Sequence, residues 1–122
     1  MPLQPLAIWA LSAGPNSWKV ITVLEELGVP YKINLLLFAD VKKPEFTAIN
    51  PNGRVPAIQD PNASGLILWE SGAIVEYLIE KYDKQGKLSY VREEEIGLKW
   101  QTKQWLFFQA SGQGPYFGQA TW

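Results

Sequence analysis

Two segments constrain this chain most: Asn50-Pro51-Asn52-Gly53-Arg54-Val55-Pro56-Ala57-Ile58, and a short way on, Leu66-Ile67-Leu68-Trp69-Glu70-Ser71-Gly72-Ala73-Ile74. The first is a turn that feeds a short apolar strand; the second is a strand that runs straight into a helix. Pro56 removes a backbone donor at the start of its strand, which leaves Val55 with free N–H and C=O groups, and a cis Val55-Pro56 bond would aim them outward. Ser71 opens the helix, so its hydroxyl and backbone N–H lie beside the positive end of the helix dipole and suit a carboxylate. Glu70 suits an amine. A ligand with an α-amino-acid head and a peptide body matches both halves.

The rest of the chain supplies a scaffold for these segments. Residues 6–11 form a continuous apolar run, expected as a strand buried on both faces. Gly14-Pro15-Asn16 breaks it, and from Ser17 to Gly28 the residues Val20, Val23, Leu24 and Leu27 recur at helical spacing, with Gly28 as the stop. Residues 31–38 read as the next strand, and Pro44 begins a short helix. The link Asp60-Pro61-Asn62-Ala63-Ser64-Gly65 suits an antiparallel hairpin, and the helix that follows, Ser71 to Tyr82, carries Ile74, Leu78 and Tyr82 on one stripe. The resulting α/β order is βαβαββα. Residues 83–90 have the composition of a linker. Beyond them, Glu93-Glu94-Glu95 places acid at a helix start, and Ile96, Trp100, Leu106 and Phe107 extend an apolar face to Ser111-Gly112.

Composition narrows the chemistry. The 122 residues are 47% hydrophobic, enough for one core, and a net charge of −1 offers no basic stripe for nucleic acid. No apolar run spans a bilayer, and Met1-Pro2-Leu3-Gln4-Pro5 lacks a signal-like charge pattern, so the expected location is cytoplasmic. The chain has no cysteine and no histidine. It therefore has no thiol nucleophile, no thiolate metal site and no imidazole base; no metal is expected, and any reactive group arrives with the ligand.

The phrases Asn50-Pro51 to Val55-Pro56-Ala57 and Trp69-Glu70-Ser71-Gly72-Ala73-Ile74 resemble the thioredoxin-like N-terminal domain of cytosolic glutathione transferases. Gly14-Pro15-Asn16-Ser17-Trp18-Lys19-Val20, and Trp105-Leu106-Phe107-Phe108-Gln109 with Gly114-Pro115, are similar to the branch that holds a fungal nitrogen regulator and bacterial disulfide reductases. The resemblance spans nearly the whole chain. It implies a thioredoxin-like glutathione-binding domain at 1–82, a linker at 83–90, and at 91–122 the start of an all-helical C-terminal domain, most of it absent. The sequence is accordingly expected to be a fragment or a truncated product. Glutathione is the implied cosubstrate, with an electrophilic or disulfide small molecule as acceptor. A homodimer is implied for the full-length form.

Site residues follow from the same resemblance. Asn16 is read from the residues as either a helix N-cap or a donor to a thiolate sulfur, and the resemblance favours the donor. Ala13 stands where serine-type enzymes carry a hydroxyl, with Ser12 and Ser17 displaced from it. Val55, before the cis-proline Pro56, together with Glu70 and Ser71, holds the tripeptide. Arg54 and Lys42, or else Lys43, reach ligand carboxylates. Trp105, Phe107 and Phe108 are read as core or interface. The implied function is a glutathione transferase or glutathione-dependent disulfide reductase; the alternative is a regulatory glutathione-binding module without chemistry.

Overall fold

The computed structural model describes residues 2–120. They form two compact units, one up to Leu78 and one from Ile79.

In the first unit, β1 (Leu6–Ala10), α1 (Pro15–Leu27) and β2 (Tyr31–Leu35) make a parallel pair with a helical crossover. α2 (Pro44–Thr47) follows, then the hairpin β3 (Ala57–Asp60) and β4 (Leu66–Trp69), and then α3 (Ser71–Tyr82). The sheet order is β2-β1-β3-β4, with β3 antiparallel to both neighbours. This is the thioredoxin-like mixed sheet that the order βαβαββα implies.

The two sheet faces are covered unequally. Register pairs Ile8 with Ile58, so these side chains share a face with Leu6 and Ala10, and all four are buried. Val20, Ile21 and Leu24 of α1, and Ile74, Val75 and Leu78 of α3, are the buried helix stripes. Asp60 of β3 is fully buried, and its carboxylate accepts a hydrogen bond from the Tyr77 hydroxyl of α3 at 2.6 Å. On the other face Trp9 pairs with Ala57 over a smaller cluster of Val41, Phe46 and Ala57, against which Leu11, Leu36, Ile49 and Val55 pack. β1 therefore alternates between buried and half-buried residues instead of being buried on both sides, because the four-residue α2 covers less than a long helix does.

Helix ends follow their residues. α1 starts at Pro15, two positions before the expected start, since proline's missing N–H costs nothing in the first turn. It closes on Gly28 at φ +66°, where Gly28 N–H donates to Glu25 O and Val29 N–H to Leu24 O, a Schellman stop with buried Val29 beside Leu24. β2 ends at Leu35, short of the expected 38, because Leu36 N–H makes the last bond to Ala10 O. Asp40 then accepts the Leu37 N–H and turns the chain through a 3-10 segment, Phe38–Asp40.

In the second unit, Asp83 organises the segment of linker-like composition. It is 3% exposed, and its carboxylate accepts from Lys87 N–H (2.7 Å), Leu88 N–H (2.8 Å) and the Ser89 hydroxyl (2.8 Å). α4 (Ile96–Phe108) passes without a break through a π-helical turn, Gln109–Gln113, into α5 (Gly114–Ala120). Helix thus continues past Ser111-Gly112, where the sequence suggested an end. The wider turn contains Gly112, and Ser111 Oγ donates back to Phe107 O at 2.7 Å.

Candidate functional site

The topology gathers the singled-out residues at one end of the sheet. β1 and β2 are parallel, so β1 delivers the turn to α1 at the same end where β2 delivers the chain to Lys42. β3 begins at that end, because Ala57 pairs with Trp9 on one side and with Trp69 on the other. Val55-Pro56, just before β3, and Glu70-Ser71, just after β4, consequently flank the same rung.

The turn before β3 is tightly braced. Asn50 is buried; its side-chain oxygen accepts from Asn52 N–H (2.9 Å) and its amide donates to Arg54 O (2.7 Å). Gly53 sits at φ +61°, and a Cβ there would lie 2.7 Å from Val41 O and 2.8 Å from Lys42 Cδ. Only glycine fits. Lys42 Nζ donates to Asn52 O at 2.9 Å, so this ammonium clamps the turn from outside. Lys43 pairs with Asp40 at 2.7 Å. Arg54 is exposed and makes no ion pair among the described residues. The Val55–Pro56 peptide bond is cis, and neither the N–H nor the C=O of Val55 has a hydrogen-bond partner among the described residues.

Glu70 adopts φ +73°, a conformation that costs a non-glycine residue of the order of 1 kcal/mol and turns the chain sharply into α3. Its carbonyl accepts the Ile74 N–H at 2.9 Å, the first bond of the helix. Ser71 is the first residue of α3 and is nearly buried, with a hydroxyl that makes no hydrogen bond among the described residues. Lys19 of α1 feels Glu70: burial lowers its pKa from the ordinary lysine value, and the Glu70 charge partly offsets that. The sequence motif contained Lys19 but carried no sign of this electrostatic influence, which depends on how α1 and the start of α3 meet.

At the start of α1 the N-cap is Gly14, not Asn16, and no side chain caps the helix. Asn16 lies one residue inside, exposed, and its amide is not spent on capping. The N-cap reading of Asn16 is thereby replaced. Ser17 is fully buried with a hydroxyl that lacks a partner among the described residues, which separates it from the exposed Ser12, Ala13 and Asn16.

These features define a thioredoxin-like domain whose sheet end presents backbone groups before a cis-proline and a helix N-terminus after a Glu-Ser pair. The chain belongs to the glutathione S-transferase family: residues 13–81 match the family described as "Glutathione S-transferase, N-terminal domain". It is 54% identical over 120 residues to the glutathione S-transferase-like protein gedE of Aspergillus terreus, covering 98% of this chain and 51% of that protein. It is 40% identical over 121 residues to the transcriptional regulator URE2 of Saccharomyces cerevisiae, covering 98% of this chain and 34% of that one. Among solved structures, Ure2p in complex with glutathione superposes with a TM-score of 0.88 at 38% identity, over 99% of this chain and 55% of its own. A glutathione transferase homolog from Lodderomyces elongisporus, with two GSH per subunit, gives 0.89 at 36% identity, over 97% and 56%. The chain spans about half the length of gedE and about a third of the length of URE2.

Proposed function

We propose that this chain is the glutathione-binding half of a glutathione transferase, in which the ligand's own thiol is the reacting group. The observation that carries the reading is the convergence, on one sheet end, of Val55 backbone groups that are unpaired among the described residues and the Ser71 helix N-terminus, in a chain without cysteine or histidine. Val55 pairs with the peptide body of the tripeptide. Ser71 and the first N–H groups of α3 hold the γ-glutamyl carboxylate, and Glu70 holds its amine. Arg54 supplies positive charge for the second carboxylate; Lys42 contributes through the turn that it clamps.

Asn16 is the catalytic residue in this reading. Its amide donates to the sulfur, which favours thiolate over thiol and releases the proton to solvent. The thiolate then attacks an electrophilic carbon, forming a C–S bond as the leaving group departs. With a disulfide acceptor it displaces one sulfur as thiolate, and a second glutathione resolves the mixed disulfide to give oxidised glutathione. A homodimer and a cytoplasmic location belong to the same reading, on the strength of the family.

The test is calorimetry of glutathione binding to the full chain. Ser71→Ala combined with Glu70→Gln is expected to abolish measurable affinity; undiminished binding would sink the site. A second reading, a regulatory module that binds glutathione without turnover, is favoured by the 40% identity to a transcriptional regulator. Conjugation of an aryl halide or reduction of hydroxyethyl disulfide, lost in Asn16→Ala, decides for the enzyme. Binding with neither activity decides for the module.

A further inference from the structure

β2 is one edge of the sheet, and its backbone alternates in what it has left to offer. Leu6 N–H donates to Pro30 O at 2.9 Å and Leu36 N–H donates to Ala10 O at 2.8 Å, so in this parallel pair Lys32 and Asn34 turn their N–H and C=O groups toward β1. Tyr31, Ile33 and Leu35 turn theirs outward, where no partner meets them among the described residues. An edge of this kind is a template for another strand.

The side chains of the same three residues share one face of the sheet. Their register partners Leu6, Ile8 and Ala10 are buried, yet Ile33 is 43% and Leu35 64% exposed. Beside them a groove of about 650 Å³ lies between the end of α1 and β2, with Leu24, Val29, Pro30, Tyr31 and Ile33 in its lining.

We propose that a second copy of this chain covers the edge, β2 against β2, antiparallel about Ile33, so that two copies share one continuous sheet. The strand Tyr31–Leu35 is complementary to itself in that register. Ile33 meets Ile33 and Tyr31 meets Leu35, each as a hydrogen-bonded pair that uses the outward N–H and C=O groups of both residues. Leu35 of the second copy then stands over the groove beside Tyr31. Lys32, the kind of residue that ordinarily guards an edge, falls opposite Asn34 and not opposite itself. Neighbouring registers lose this fit. A slip of two residues one way sets Lys32 against Lys32; the other way sets Tyr31 against Leu37, whose N–H is already held by the Asp40 carboxylate at 3.0 Å. The pairing uses no residue of the glutathione site and goes beyond that reading, so either can fail without the other.

Disulfide trapping tests it on the full chain, which has no cysteine of its own. In the proposed register the Ile33 Cα atoms of two copies lie about 5.5 Å apart, within disulfide range, so Ile33→Cys is expected to give a linked dimer under copper–phenanthroline oxidation. Asn34→Cys alone is expected to give none, because position 34 in the two copies is offset by two residues, roughly 6.8 Å of strand rise before the strand separation is added. Lys32→Cys mixed with Asn34→Cys links, since these positions face each other. Leu35→Pro added to Ile33→Cys removes an outward N–H and leaves every bond to β1 in place; it is expected to abolish the link with the unfolding temperature unchanged. Should it lower that temperature, Leu35→Lys, an edge guard that keeps the whole backbone, replaces it. Equal linking at 33 and at 34 alone means chance collision, as between copies held by the second unit, and overturns the proposal. Linking that survives the Leu35 variants overturns it too. So does no linking at all, in which case the edge belongs to a foreign strand or to solvent.

Discussion

The two units spend apolar residues in opposite ways. Up to Leu78, Leu6, Ile8, Leu24, Ile58, Ile74 and Leu78 are fully buried around one sheet face. From Ile79 on, α4 and α5 carry Trp100, Trp105, Phe107, Tyr116 and Phe117 at 60–75% exposure, and the one buried residue among those described is a carboxylate, Asp83. Apolar content makes a core only where topology supplies an opposing surface. A sheet does so for its helices; an uninterrupted helix from α4 to α5 does not do so for itself. The largest expected consequence is that the 122-residue chain self-associates through its second unit, because exposed aromatic patches of this size seldom persist on monomers. Sedimentation over a concentration series checks this. A monodisperse monomer that binds no hydrophobic dye would break the contrast.

Substitution should separate the units next. Ile58→Ala, which empties a fully buried site, is expected to lower unfolding free energy by about 2–4 kcal/mol in urea titration, whereas Trp105→Ala at 63% exposure costs within about 0.5 kcal/mol. Comparable losses at both positions would mean that the second unit has a core of its own.

Asp83 tests the exception. Burial pushes its carboxyl up, but the Ser89 hydroxyl and the N–H groups of Leu88 and Lys87 outweigh that and hold it below the ordinary aspartate value. A depressed folded-state pKa contributes stability above the unfolded value, about 3.9, and that stability is lost as pH falls through the lower folded value. Asp83→Ala is expected to cost about 1–3 kcal/mol at neutral pH, by stranding two backbone donors, and to flatten the acid limb of the stability profile. An acid limb unchanged in the variant would remove Asp83 as its source.

How legible each unit was follows from the same physics. Local signals carried the first unit: glycine and proline at the turns, helical spacing in α1, and the helix 71–82, whose bounds match. Misreadings came at element ends, where short-range bonds and caps that hydrophobic spacing does not encode decided. β2 stops at Leu35 because Asp40 captures the Leu37 N–H, and α1 is capped by Gly14 because Pro15 can begin a helix. At the site, the Asn50 brace is local but went unread, whereas the Lys19–Glu70 proximity was invisible because it arises from tertiary placement. In the second unit Ser111-Gly112 looked like a stop, yet a π turn carries the helix through it.

Glycines sharpen the comparison at the smaller end of the scale. Gly53→Ala meets the Val41 carbonyl at 2.7 Å in a left-handed conformation, so it is expected to cost about 1–3 kcal/mol and to weaken glutathione binding through the displaced Arg54-Val55 backbone. Retained affinity in calorimetry would detach the turn from the site.

The smallest effect has the opposite sign. Gly97 lies in α4 without a positive φ, and apart from its chain neighbours and its own helix backbone a Cβ there meets no atom of the described residues within 4 Å, so alanine meets neither a clash nor strain. Glycine in a helix loses more chain entropy on folding than alanine does, and Gly97→Ala should therefore stabilise α4 by about 0.5–1 kcal/mol. The gain belongs to the second unit alone, where helix propensity counts because packing contributes little. Hydrogen exchange resolves it: amides of residues 98–106 should slow while those of β1 and β3 remain unchanged. Slowing in both sets would show that the two units unfold together, and the contrast drawn between them would not extend to their stability.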